Sequence, residues 1–316
     1  MPLSAPSELQ LLLLECFGTK QFTKTFPQVF GTNSTAKHFQ VRSEKTLAAF
    51  CASFPFHWAA NGALITGHCI GSVCSAEKFR GRGLAKDVIT MAEIHAAQNG
   101  AQFTFLFSEL DSFYQKLGYR PYGIERFTAL AMSPAINSTA TQNLSHLVKL
   151  SENLSTQSLR YGFTQPGEKI SDPKTAAIWN LLTSTSHSSE NILSFSEFRL
   201  LLTIPGVEIH TLWEHETPRA VFFVGKGADF RDVAHSACAQ NKLFLAKLFA
   251  QFFDKFPGRS LLFMLPPEPG LQFPELQITT TTSYFAKILS TPQHKPTLIQ
   301  QLLESGALYP RSFQSI

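Results

Sequence analysis

Two glycines and two arginines stand between a strand and a helix in one short segment, Val73-Cys74-Ser75-Ala76-Glu77-Lys78-Phe79-Arg80-Gly81-Arg82-Gly83-Leu84-Ala85. The apolar run before the segment ends at Val73, and a helical pattern opens at Leu84. A helix that starts straight after such a turn leaves its first N–H groups without backbone acceptors, at the positive end of its dipole. Glycines let a phosphate approach that backbone closely, and Arg80 and Arg82 add positive charge at the same place. The chemistry on offer is anion binding. It is not that of a P-loop, because no Gly-Lys-Ser/Thr ending follows, nor that of a dinucleotide loop, because the G-x-G-x-x-G spacing is missing. On its own, an Arg-Gly-Arg-Gly turn can equally serve to pack a helix on a sheet.

A second segment decides between these readings. One helix and one strand later the chain runs Ser108-Glu-Leu-Asp-Ser-Phe113-Tyr114-Gln-Lys-Leu117-Gly118-Tyr119. Together the two segments resemble the GNAT superfamily of N-acetyltransferases. Its R/Q-x-x-G-x-G/A motif is matched by Arg80, Gly83 and Ala85, and its aromatic-Tyr-x-x-x-Gly-aromatic turn by Phe113, Tyr114, Gly118 and Tyr119. The resemblance covers residues 37–132 and, more faintly, the helix before them. It implies an α+β (mixed α/β) chain with the GNAT fold, a central, mostly antiparallel sheet flanked by helices.

The resemblance also implies roles. The activity would be transfer of an acetyl group from acetyl-CoA, a co-substrate, to a primary amine on a small molecule or peptide by direct attack. Backbone N–H groups of Arg80, Gly81, Arg82, Gly83, Leu84 and Ala85 would hold the CoA pyrophosphate. Val73, Cys74 and Ser75 would bond the pantetheine arm and polarise the acyl carbonyl. Tyr114 would act as general acid toward the departing thiolate; a tyrosine of ordinary pKa, about 10, is protonated at neutral pH. The sequence departs from the family pattern at Glu77, where many members carry Pro, and at Ser108, where many carry Asn nearby. The general base is not singled out: Glu44, Glu109, Asp111, His57 and His68 are candidates by position alone. A catalytically silent acyl-CoA sensor or scaffold is the alternative from a different class.

The rest of the sequence sets limits. Charged residues make up 16% and apolar residues 44%, which suits packed globular domains. With 27 basic and 23 acidic residues and no basic run, nucleic acid is not expected as a partner. Five cysteines without C-x-x-C spacing read as reduced thiols of a cytoplasmic protein. The run Leu11 to Leu14 is too short for a signal sequence or a span, and no membrane association is expected. No metal is expected either, since His187, His210, His215, His235 and His294 lack close ligand spacing.

The elements that must position the chemistry follow from pattern. Ser7 and Gln10 form a capping box before a helix that Gly18 ends. Strands are expected at 37–42 and 46–54, then a hairpin about Asn61-Gly62. A helix opens at Leu84 and stops at Asn99-Gly100, a strand covers 103–107, a short helix 110–117, and a strand 119–132. Residues 133–158 read as a polar linker, dividing the chain into domains 1–145 and 146–316. Helices near 173–184, 194–203 and 241–253, a hairpin over 207–225 and a strand at 260–265 repeat the order of the first half. The second half thus reads as a degenerate tandem GNAT-like copy. Its loop position is placed at Lys226-Gly227-Ala228-Asp229-Phe230-Arg231-Asp232, which lacks the CoA motif.

Overall fold

In the computed structural model, residues 7–132, 138–154, 158–185, 191–226, 231–265, 273, 274, 276–289 and 296–310 are described. They divide into two compact units. Unit 1 takes residues 1–123 with 282–310, and unit 2 takes residues 124–281.

Unit 1 opens with α1 (Glu8–Phe17), started by the Ser7–Gln10 capping box and ended at Gly18. Two single turns follow, α2 (Phe22–Thr25) and α3 (Pro27–Phe30). The strands β1 (Lys37–Ser43), β2 (Thr46–Ala60) and β3 (Ala63–Ser75) pair antiparallel in sequence order. Asn61 and Gly62 turn the β2–β3 hairpin with φ of 51° and 74°, the positive values that a type I′ turn needs. After α4 (Leu84–Gln98), strand β4 (Phe103–Leu106) runs parallel to β3. Then come α5 (Asp111–Lys116) and β5 (Arg120–Ala131). One face of this sheet is covered by α1 and its neighbours around Leu12, Leu13, Phe50, Phe56, Trp58 and Phe105. The other is covered by α4 through Val88, Ile89 and Ala92.

Unit 2 repeats the scheme. Helices α6 (Ser138–Ser151), α7 (Asp172–Ser184) and α8 (Phe195–Leu201) accompany β6 (Leu159–Thr164), β7 (Glu208–Glu214), β8 (Thr217–Val224) and β9 (Val233–Ala239). These four strands pair antiparallel in order. Helix α9 (Lys242–Lys255) then leads to β10 (Ser260–Met264), parallel to β9. Each unit therefore holds an antiparallel meander, a helical crossover and one parallel pair.

The last strand of each sheet arrives from far along the chain. In unit 2, β10 pairs antiparallel with Phe127–Ala131 of β5. In unit 1, β4 pairs antiparallel with Phe285–Ile288 of β11 (Thr279–Ile288), and α10 (Pro296–Glu304) follows it into the same core. Tyr284 donates to the Leu308 carbonyl at 2.7 Å and Trp58 to that of Tyr309 at 3.1 Å. The units accordingly divide at 123/124 and 281/282, where the sequence reading placed one boundary at 145/146. The strand that completes each sheet is the reason.

Two further readings change. The expected linker 133–158 contains α6, whose Ala140, Leu144 and Leu147 are buried; residues 133–137 and 155–157 lie outside the described ones. The strand-to-helix junction of unit 2 is not at 226–232, because β9 intervenes and the junction is Gln240-Asn241. Of that expected loop, residues 227–230 lie outside the described ones.

Candidate active site

Parallel pairing accompanies only the first part of β3. Registered pairs run Gly67↔Phe103, His68↔Thr104 and Cys69↔Phe105 and stop there, well before β3 ends at Ser75. On its other edge β3 stays with β2, but Gly71↔Ala52 is followed by Cys74↔Phe50, so β3 carries an extra residue. Ser72 sits in that bulge with φ 53°, a left-handed conformation uncommon for serine. A bulge bends and twists its strand. Beyond Cys69, the edge of β3 that faced β4 has no strand partner among the described residues. The hydroxyls of Ser72 and Ser75 are buried there, and neither has a hydrogen-bond partner within the protein. Backbone groups along a strand edge that has no partner strand are what a chain of amides, such as pantetheine, would need.

A single 3-10 turn (Glu77–Phe79) leads from β3 to α4. Phe79 is buried, with Lys78 and Arg82 above its ring at 4.6 and 5.1 Å. Gly81 and Gly83 have φ of 77° and 82°, where a side chain would be strained, and no atom lies within 4 Å of where a Cβ would sit. Gly83 is the N-cap of α4 and supplies no side-chain cap. The amides of Leu84 and Ala85 are thus left without a side-chain cap at the positive end of a 15-residue helix. Arg80 is exposed and its Nε reaches the Ser75 carbonyl at 3.5 Å, while Arg82 pairs with Glu44 at 3.6 Å. The donor set fits a pyrophosphate.

Tyr114 lies on α5, buried between Phe113 and Tyr119 in edge-to-face contacts of 4.9 and 5.9 Å. It shares an apolar cluster with Ile70 and Val88, against which Val73 and Leu84 also pack, so the structure joins Tyr114 to both ends of the strand–loop–helix segment. Burial raises its pKa to about 12, aided by Cys51 and opposed by a hydrogen bond with Ser108. Ser108, the departure noted in the sequence, accepts from the Leu110 amide at 3.0 Å just before α5. Behind the phenol, the Tyr119 hydroxyl bonds Thr104 and donates to Glu93, both at 3.0 Å, and Lys287 of β11 donates to Glu93 at 2.8 Å.

The two histidines among the base candidates lie away from this site. Glu44 is engaged by Arg82, and Glu109 and Asp111 are exposed. His57 bonds Thr66 at 3.0 Å and His68 bonds Ser53 at 3.0 Å, in the N-terminal part of β3 and its partner strand. At about 3.3 Å per residue, His68 lies ~17 Å along β3 from Val73, too far for direct proton transfer. Burial, then the nearby His95 and His57, lower the His68 pKa from 6.5 to about 4. Folding thus disfavours its proton, and the stability present above pH 6.5 falls as pH drops toward 4, by about 3 kcal/mol at most. His68→Gln should flatten this acid limb in melting curves between pH 7 and 4.5; an unchanged slope would assign the limb to other groups.

One participant had no sequence signal, the end of α1. Glu15 accepts from the Glu77 amide at 2.5 Å, and the Cys16 thiol donates to the Ser75 carbonyl at 3.4 Å. In unit 2 the corresponding helix start is closed. Asn241 caps α9, its Oδ1 accepting from the amides of Leu243 and Phe244 at 3.0 and 3.1 Å. Among the described residues no group of three or more His, Cys, Asp or Glu could hold a metal ion, and no helix is long and apolar enough to cross a membrane.

Residues 15–122 match the family model of the acetyltransferase (GNAT) domain. Among curated proteins none matches the chain. Among solved structures, it is similar to a GCN5-related N-acetyltransferase from Anabaena variabilis (TM-score 0.61, 13% identity), covering 89% of this chain and 69% of that one. It is similar also to a GCN5-related N-acetyltransferase from Kribbella flavida (TM-score 0.55, 15% identity), covering 79% of this chain and 59% of that one. At such identities the likeness shows the fold, and the chain spans less than two thirds of the Kribbella protein's length.

Proposed function

We propose, with the GNAT acetyltransferase domain at residues 15–122 as premise, that the chain transfers an acetyl group from acetyl-CoA to a primary amine. The observation that carries this reading is the uncapped start of α4 behind two left-handed glycines, at the end of a strand that has parted from its neighbour. The amides of Arg80 through Ala85 would take the pyrophosphate, with Arg80 and Arg82 adding charge. The freed edge at Val73, Cys74 and Ser75 would hold the pantetheine amides and polarise the acyl carbonyl. The co-substrate supplies an acetyl group already activated as a thioester.

Tyr114 is the proposed general acid. In the net reaction a C–N bond forms, the C–S bond breaks, and a proton lost by the amine is matched by one gained at sulfur. With its pKa near 12, the phenol is protonated throughout the neutral range. An ordinary thiol near 8.5 is a weaker base, so complete transfer from the phenol would be uphill by roughly 5 kcal/mol. Tyr114 therefore acts first as a hydrogen-bond donor to the developing thiolate, and delivery of the proton completes as the amine releases its own.

An acceptor could be taken up in a solvent-open pocket of about 460 Å³. Arg120, Pro121, Tyr122, Gly123, Leu303 and Glu304 line it, directly after the Tyr114–Tyr119 turn. Unit 2 is the degenerate copy in this reading, since Asn241 already occupies the amides that an anion would need. The five cysteines, none of them in a disulfide, suit a reducing, cytoplasmic setting.

A second reading, an acyl-CoA sensor or scaffold, is favoured by one observation: His68 on β3 and His57 on its partner strand β2 sit far from Val73, and Glu44 is engaged by Arg82. Release of free thiol from acetyl-CoA, followed across a panel of small amines and peptides, separates the two. Turnover dependent on one amine class is expected. Saturable CoA binding with no thiol release on any amine would replace the enzyme by the sensor.

A further inference from the structure

Cys16 stands in the last turn of α1, half-buried, with its thiol on the Ser75 carbonyl. Its neighbour in space is Cys74, buried in the core of unit 1 against which Cys16 packs. The Ser75 carbonyl belongs to the residue after Cys74, so the Cys16 thiol lies against the strand end that carries Cys74, and neither cysteine is in a disulfide. The adjacent Glu15 holds the Glu77 amide, and Arg80 reaches the same Ser75 carbonyl, so two successive residues of α1 fasten it to the strand end and loop. The contact with Cys74 is the largest influence on Cys16 and lowers its pKa to about 7, with Arg80 assisting and burial and Glu15 opposing. Cys74 is pushed up by the same contact and by burial. At neutral pH the pair thus holds a partly exposed nucleophile beside a protonated thiol, the pattern of oxidation-prone cysteines. Cys51, by contrast, is fully buried on the Val88 carbonyl and pushed up by desolvation.

We propose that Cys16 and Cys74 are a dithiol modification site for hydroperoxides, closing to a disulfide that ties α1 to β3 beside the anion-binding loop. The Cys16 thiolate attacks a peroxide oxygen: an S–O bond forms, the O–O bond breaks, and water or an alcohol leaves after protonation. Cys74 then gives up its proton and attacks the Cys16 sulfenic sulfur; the S–S bond forms, the S–O bond breaks and water leaves. Two thiols lose two electrons and the peroxide gains them. The new bond, about 2.05 Å, is far shorter than a contact between thiols and removes the Cys16 donor from the Ser75 carbonyl. Cys74 and Ser75 belong to the edge assigned above to pantetheine, so an effect on CoA affinity rests on that reading; formation of the disulfide does not.

The full chain is treated with hydrogen peroxide, remaining thiols are alkylated, and the digest is examined by mass spectrometry while CoA affinity is measured in parallel. A Cys16–Cys74 linked peptide, lighter by two hydrogens and cleaved by dithiothreitol, is expected, with CoA affinity reduced severalfold and restored by reduction. Cys16→Ser should melt as wild type, bind CoA as the reduced wild type does, and be insensitive to peroxide. Absence of the linked peptide, or oxidation of Cys16 to sulfinic acid without it, overturns the site. A linked peptide with unchanged CoA affinity overturns its effect on the loop. Failure of the reduced protein to bind CoA counts against the proposed function instead, and the linked peptide still decides the dithiol.

Discussion

Removing residues 282–316 unfolds unit 1, although the whole GNAT match at 15–122 stays in the chain. The deletion takes Tyr284, Phe285, Leu289, Ile299, Leu302, Leu303 and Leu308 out of the unit, all of them buried. At about 1.5–3 kcal/mol for each large apolar side chain, the loss is roughly 10–20 kcal/mol. That exceeds or equals the ~5–15 kcal/mol that holds a domain folded. The cut also strips β4 of its antiparallel partner from Phe103 to Leu106 and takes Lys287 from Glu93. Hydrogen exchange would report it as lost protection across β2 and β3. The milder Leu303→Ala, a fully buried site, should cost about 2–5 kcal/mol. Native protection of β2 and β3 in the truncated chain would mean that the returning strand is an accessory.

Tyr114→Phe should lower kcat by about 100-fold or more, within the usual range for a lost general acid. The ring is kept, so its contacts with Phe113 and Tyr119 and the apolar cluster survive, and acetyl-CoA binding should change little. The residual rate should keep the wild-type pH dependence, rising as the amine loses its proton. With its pKa near 12, Tyr114 contributes no falling limb between pH 7 and 10 in the wild type. A fall in kcat near pH 9 to 10 in wild type, absent in the variant, would show a phenol of ordinary pKa. A variant with full kcat would leave Tyr114 a packing residue.

The parts of the fold legible in the sequence are those written locally. Asn61-Gly62 marks its turn because few residues tolerate two positive φ values in succession, and α4 shows its buried stripe of Val88, Ala92 and Ala96. What escaped was non-local or disguised. β11 is paired with β4, far upstream, and no local pattern announces which sheet a strand will join. Helix α6 looked like a linker because its inner face carries Asn143, which donates to Thr128 at 2.7 Å and to the Ala129 carbonyl at 3.2 Å. A satisfied amide there breaks the apolar period. β9 is built from Val, Ala, His, Ser and Cys, too small and mixed to stand out, yet it sets where α9 begins. At the site, the glycine loop and Tyr114 were legible as motifs, whereas the bulge at Ser72 and the docking of Glu15 and Cys16 arise only when strands and helix meet.

The central claim is that the start of α4 is an acyl-CoA site, and titration calorimetry of the full chain with CoA tests it most directly. Saturable binding of one equivalent is expected for the wild type. Gly83→Asp places a carboxylate and a Cβ at a left-handed position where a polyanion must approach bare amides, and should abolish that binding. The open space around Gly83 makes the substitution a strain on one turn and not a clash with the core, so circular dichroism should show both proteins folded. No heat with the wild type, or equal affinity in the folded Gly83→Asp protein, would contradict the account.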